Sequence, residues 1–175
     1  DSTRSQFGCL GVVVLAAGLL GGFFLSAFLV ELSSFAICLP VGVGIKQTDE
    51  SGPQAGWVEG YRLDAYPGRV YRDGVSAIVE TIESSPEPVS LVAIGPLPNL
   101  AELLRRAPQA APKARFVGMH GSIRRHHDGG AGPIAEYNVK QDVNACQAVF
   151  AAPWRDLTIT PLDTCGQVRL RSSRY

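Results

Sequence analysis

The chain has 175 residues, of which 46% are apolar and 18% charged, which is enough for one domain with a buried core. Its 16 Lys and Arg balance 16 Asp and Glu, so no global positive field for nucleic acid exists. No repeat or low-complexity tract occurs, which excludes a fibrous or disordered chain.

Charge is spread unevenly. From Ser5 to Gly44 the only charged residue is Glu31. Residues 7–30 (FGCLGVVVLAAGLLGGFFLSAFLV) carry no charge at all. A helix of that length is about 36 Å long and spans a bilayer core of about 30 Å. Gly18 and Gly22 form a GxxxG spacing that permits close helix contact. Three readings of 7–30 therefore compete: a transmembrane or signal-anchor helix, which hydropathy allows, an uncleaved signal sequence, and a buried helix or an aberrant stretch in place of a normal one. The chain is expected to divide into an apolar segment, 1–38, and a globular α/β segment, 39–175. It begins at Asp1 rather than Met, which reads as a processed chain or a fragment. The cysteines, Cys9, Cys38, Cys146 and Cys165, stand far apart without a CxxC pair. They read as thiols in a reducing compartment rather than a zinc site or disulfide framework.

The globular segment opens with LPVGVGI (39–45), a β-branched run that predicts a strand. Residues 47–72 are rich in Gly, Pro, Tyr and charge and read as a long loop. Asp73 starts a helix in which Val75, Ile78, Val79 and Ile82 recur at helical spacing, and SSPEP (84–88) ends it. VSLVAI (89–94) predicts a strand buried on both faces. A turn, GPLPN (95–99), leads to a helix at 100–107 with Asn99 as its cap. ARFVGM (114–119) predicts a strand, Asp142 caps a helix at 143–151, and LTITPL (157–162) predicts a last strand. Strands alternating with helices imply parallel pairing, with ligands held at the carboxyl ends of the strands.

The loops at those ends hold the candidate chemistry. Glu136 and Asn138 stand two residues apart and would face one side of an extended segment, a pair suited to vicinal hydroxyls. The run Arg124, Arg125, His126, His127 reads as a solvated loop, since adjacent histidines of an extended chain face opposite ways. Asp163 is a candidate ligand at a strand end, although a cap or turn role is the plainer reading.

These pieces in this order resemble the inosine/uridine-preferring nucleoside hydrolase family. The matching segments are LPVGVGIK, DGVSAIVETI, VSLVAIGPLPNLAELL, ARFVGMHGS, AEYNVKQDVNACQAVF and LTITPLDTC. The resemblance implies a Rossmann-like fold with a mostly parallel sheet. It implies hydrolysis of the N-glycosidic bond of ribonucleosides, with Ca²⁺ binding the ribose diol and a water. Glu136 and Asn138 match the family's ribose-binding pair, and Met119 a methionine lining the ribose pocket. Pro98 stands where the family's Thr offers a backbone carbonyl to calcium. The resemblance further implies a ribonucleoside partner, self-association and a cytoplasmic location, or a membrane-associated one if 7–30 is a true span.

The chain also departs from the family. The Asp-rich DTDxGxDD stretch, which supplies calcium ligands and the water-activating residue, does not occur, so no catalytic residue is assigned. The Asn six residues before the ribose-binding Glu is Gly130, and the chain stops before a later His-Asp pair. The nucleoside hydrolase domain is therefore expected to be incomplete, with calcium bound weakly and hydrolysis poor. Asp128 and Asp163 are the substitute ligands if calcium is held. The alternative is a membrane-tethered, catalytically dead binding module that keeps the fold.

Overall fold

Residues 39–45, 56 and 59–168 are described by the structure, a computed structural model. The apolar helix expected at 7–30 lies outside them. Among the described residues no helix is long and apolar enough to cross a membrane.

Strand β1 (Val41–Gly42) pairs in parallel with β2 (Val70–Tyr71). The Val41 N–H donates to the Arg69 carbonyl at 2.8 Å and the Val43 N–H to the Tyr71 carbonyl at 2.9 Å. The expected strand 39–45 is thus paired over only two residues. The stretch read as a loop holds β2 and a 3-10 turn at Leu63–Ala65. A Val-Tyr pair suits a strand even inside a polar, proline-containing segment.

Helix α1 (Gly74–Ser84) follows as expected, with Asp73 at its N-cap. Asp73 accepts from the Ser76 N–H at 3.1 Å and the Ser76 hydroxyl at 2.8 Å. Those bonds, with Arg106 alongside, lower its carboxyl to about 2. A Cβ on Gly42 would lie 2.8 Å from the Gly74 Cα, so two glycines let α1 start at backbone contact with β1.

The main sheet is built from β3 (Val89–Ala93), β4 (Ala114–Gly118) and β5 (Asp156–Ile159), all parallel. Leu91 lies opposite Phe116, and Phe116 opposite Leu157. Helix α2 (Pro98–Arg106) and a 3-10 segment (Pro108–Lys113) connect β3 to β4. Helices α3 (Tyr137–Gln141) and α4 (Val143–Ala151) lie between β4 and β5, and α5 (Leu162–Cys165) follows β5. Asn99 does not cap α2. Pro98 takes the first helical position, which suits its fixed φ and absent N–H, and Leu97 becomes the cap. The Asn99 Oδ1 instead accepts the Ile45 N–H at 2.7 Å. That bond ties the β1 segment to the start of α2, and among the described residues no strand of one sheet pairs with a strand of the other.

The core lies between α1, α2, α4 and the sheet. Val75, Ile78 and Ile82 of α1 meet Leu100 and Leu103 of α2, Leu91 of β3, Phe116 of β4 and Val149 of α4. Phe116 has no exposed surface and stacks on Trp154 at 5.7 Å between centroids. The Trp154 Nε1–H donates to the Val149 carbonyl at 2.7 Å, so the indole is buried with its donor satisfied. Burial alternates along β3 between full and partial, so one face is less covered than expected. Every residue of β5 is exposed, and among the described residues β5 is an edge strand of the main sheet.

Asp142 caps α4 as expected, its Oδ1 accepting the Ala145 N–H at 2.9 Å. Asp142→Ala is expected to cost about 1 kcal/mol in urea unfolding. An unchanged urea midpoint would deny the cap its role.

Candidate functional site

Parallel pairing brings the carboxyl ends of all three strands to one edge. The Met119 N–H donates to the Ala93 carbonyl and the Thr160 N–H to the Gly118 carbonyl, both at 2.8 Å. The Leu162 N–H donates to the Gly121 carbonyl at 2.9 Å, so the loops after β4 and β5 meet at Gly121.

Glu136 is the centre of this edge. It is 4% exposed and serves as the N-cap of α3. Its Oε1 accepts the Asn138 N–H at 2.9 Å. Its Oε2 accepts the Gly121 and Val139 N–H groups, both at 3.1 Å. A carboxylate offers about four acceptor positions, so three protein bonds leave about one for a ligand hydroxyl.

The expectation that 136–138 is extended is corrected: Asn138 lies in the first turn of α3. The pair still converges, because the Glu136 side chain folds back over that turn to satisfy its free N–H groups. The Asn138 Nδ2 donates to the Met119 carbonyl at 2.8 Å and lies 3.4 Å from the Met119 Sδ. Met119, Glu136 and Asn138 therefore come together. Pro98 is buried at the start of α2, within the helical ladder.

The acids named as substitute calcium ligands are otherwise engaged. Asp163 accepts the Ile123 N–H at 2.8 Å and the Arg124 N–H at 2.7 Å, one on each oxygen. These backbone donors hold its carboxyl below the ordinary range. Asp128 accepts the Gly130 N–H at 2.9 Å, with the same direction of shift. Among the described residues no three His, Cys, Asp or Glu side chains gather as metal ligands. Calcium takes six to eight oxygens, so the described donors do not fit a calcium site. Cys146 is a free, buried thiol raised by burial to about 11, and Cys165 is free and also raised.

His120 is a site residue that sequence reading did not single out. It is fully buried, and its Nε2 lies 3.0 Å from the Gly95 carbonyl. A carbonyl only accepts, so Nε2 carries a proton and donates it. Among the described residues its Nδ1 has no hydrogen-bond partner. The ring packs edge-on to Phe150 at 5.9 Å and lies over Gly118, where a Cβ would come within 2.6 Å of Nδ1. His120 thus joins the loop after β3 to the loop after β4.

Burial, above all, lowers the His120 pKa from 6.5. In the unfolded chain the ring takes a proton near that value, while the folded chain does not. Stability is therefore full above about pH 6.5 and falls as the pH drops below it. Urea midpoints at pH 7.5 and pH 5 should show a larger loss for the parent chain than for His120→Gln. Equal losses would remove His120 as the source.

Comparison with known proteins follows the same lines. The family model described as inosine-uridine preferring nucleoside hydrolase matches residues 40–175. The non-specific ribonucleoside hydrolase RihC of Shigella boydii is 40% identical over 95 residues, 54% of this chain and 30% of that protein. RihC of Escherichia fergusonii is 45% identical over the same length and shares. The solved inosine-uridine preferring nucleoside hydrolase of Bacillus anthracis gives a TM-score of 0.58 at 25% identity, covering 75% of this chain and 48% of that one. A purine-preferring ribonucleoside hydrolase from Gardnerella vaginalis shares the fold, with a TM-score of 0.56 at 21% identity over 74% of this chain and 44% of that one. The match spans less than half the length of each of these relatives. Over the greater part of its own length, this chain belongs to the inosine-uridine preferring nucleoside hydrolase family.

Proposed function

We propose that this chain carries the ribose-holding part of a site that hydrolyses the N-glycosidic bond of ribonucleosides to free base and ribose. The observation that carries the reading is the buried Glu136 carboxylate, aimed by three backbone N–H groups and backed by Asn138 and Met119.

Glu136 accepts from a ribose hydroxyl through its remaining acceptor position. Asn138 adds an amide beside it, and Met119 offers a soft apolar contact to the sugar. As the bond from C1′ to the base lengthens, the sugar gains oxocarbenium character. Its hydroxyl protons become more positive, and their bonds to a fixed carboxylate strengthen. A contact that tightens in this way favours the transition state over the ground state. Water then attacks C1′, and the base leaves with a proton.

Glu136, Asp163 and Asp128 all accept backbone N–H groups. The reading therefore assigns this chain ribose binding first and slow hydrolysis second. Ribose release from inosine and uridine tests it, beside Glu136→Gln. Slow release lost in the variant supports the reading. Release undiminished in Glu136→Gln overturns it, and binding without release leaves a binding module that keeps the fold.

A further inference from the structure

The Gly121 N–H donates to the Glu136 Oε2, so the placement of Gly121 sets one of the three bonds that aim the carboxylate. Gly121 is left-handed, with φ +85°, and a Cβ there would meet nothing within 4 Å. Among the described residues, then, hydrogen bonds rather than packing hold it in place. Glycine brings conformational freedom to this position, and a neighbouring element must remove it.

The first turn of α5 does so. The Leu162 N–H donates to the Gly121 carbonyl at 2.9 Å. The next residue, Asp163, accepts the Ile123 N–H on Oδ2 at 2.8 Å and the Arg124 N–H on Oδ1 at 2.7 Å. Two consecutive residues thus grip the limb at 121, 123 and 124. The bonds to Asp163 run to an ionised acceptor, which makes them the stronger kind. The grip reaches the returning limb as well. The Ser122 hydroxyl donates to the Arg125 carbonyl at 2.9 Å and accepts the Ile134 N–H at 3.1 Å, two residues before Glu136.

We propose that Asp163 is a positioning residue for the site: by gripping the limb beyond Gly121 it keeps the Gly121 N–H on Glu136, and so aims that carboxylate at ribose. The inference rests on the ribose reading of Glu136 and adds to it a residue that acts through the backbone of another loop. Both oxygens of Asp163 are needed, because each takes a different N–H. An asparagine offers one acceptor and turns an NH₂ toward the second donor, so Asp163→Asn breaks half of the grip.

The test compares the full chain with Asp163→Asn, Asp163→Ala and Val89→Ala. Val89 is buried at the amino end of β3, so its truncation destabilises the domain away from the carboxyl edge. Amide exchange at Gly121 is read without ligand, and inosine binding by calorimetry. Both Asp163 variants are expected to speed exchange at Gly121 and to weaken inosine binding about tenfold, the scale of one hydrogen bond to a charged group. Val89→Ala is expected to bind inosine as the parent does, despite its lower urea midpoint. If Asp163→Ala does not fold, Asp163→Asn carries the comparison. Unchanged exchange at Gly121 or unchanged affinity in the Asp163 variants overturns the positioning role and leaves the ribose reading standing. Equal weakening in Val89→Ala overturns it too, because a general loss of stability would then suffice. A parent chain that binds no inosine overturns the ribose reading, and the positioning role with it.

Discussion

Glu136→Ala is expected to lower stability by about 2–4 kcal/mol and to remove ribose binding. The variant strips the acceptor from three N–H groups at once, those of Gly121, Asn138 and Val139. A buried donor left without a partner costs about 1–3 kcal/mol. Asn138 is buried and bears the full cost, while water reaches the half-buried Gly121 and Val139 more easily. Glu136→Gln separates the two roles. It preserves shape and one acceptor but turns an amide NH₂ toward N–H donors, so it should destabilise less than Ala while still disturbing the grip on ribose. Urea unfolding and amide exchange at Gly121, Asn138 and Val139 check both variants. If Glu136→Ala unfolds at the parent midpoint with those amides still protected, the carboxylate does not hold the site together.

Phe116→Ala is expected to cost about 3–5 kcal/mol, a large share of the stability of a domain this size. The ring is fully buried in the middle of β4. It stacks on Trp154 and meets Phe150 edge-on at 6.3 Å, so its removal opens a cavity among rings that cannot collapse together. His120 also packs on it at 6.0 Å between centroids, so the variant should loosen the link from His120 to Gly95. The measurement is the urea midpoint with its slope. A loss below about 1 kcal/mol would mean that the cluster relaxes around the gap.

Much of the α/β architecture is legible from the residues themselves. Helices α1 and α4 are announced by Asp73 and Asp142, short acceptors placed just before apolar residues at helical spacing. Strands β3 and β4 are short apolar runs bounded by turn formers, and they appear within a residue of the expected ends. The failures have local causes. Helix α3 is only five residues long and is capped by a Glu, a residue outside the usual cap set. The 3-10 segment Pro108–Lys113 has no counterpart among the expected elements, since prolines at 108 and 112 fit no α-helical pattern. Asn99 carries the signature of a cap, but its side chain is spent on Ile45, a partner 54 residues away.

The proximity of the three candidate residues was legible in the sequence, and their geometry was not. Met119, Glu136 and Asn138 are adjacent, but through a helix cap rather than an extended strand. Asp163 is not the cap or turn former of its plainer reading: Pro161 stands at the N-cap of α5, and Asp163 grips a loop 40 residues away. Nothing in the sequence marks His120, because a lone histidine gains meaning only from the carbonyl and rings around it.

Amide NMR spectra of the full chain, titrated with inosine, test the ribose-holding role of Glu136 most directly. Its three N–H partners report on any ligand that shares the carboxylate. The account predicts saturable shifts centred on Gly121, Asn138 and Val139 that vanish in Glu136→Gln. Saturable binding that leaves those three amides unmoved would contradict it.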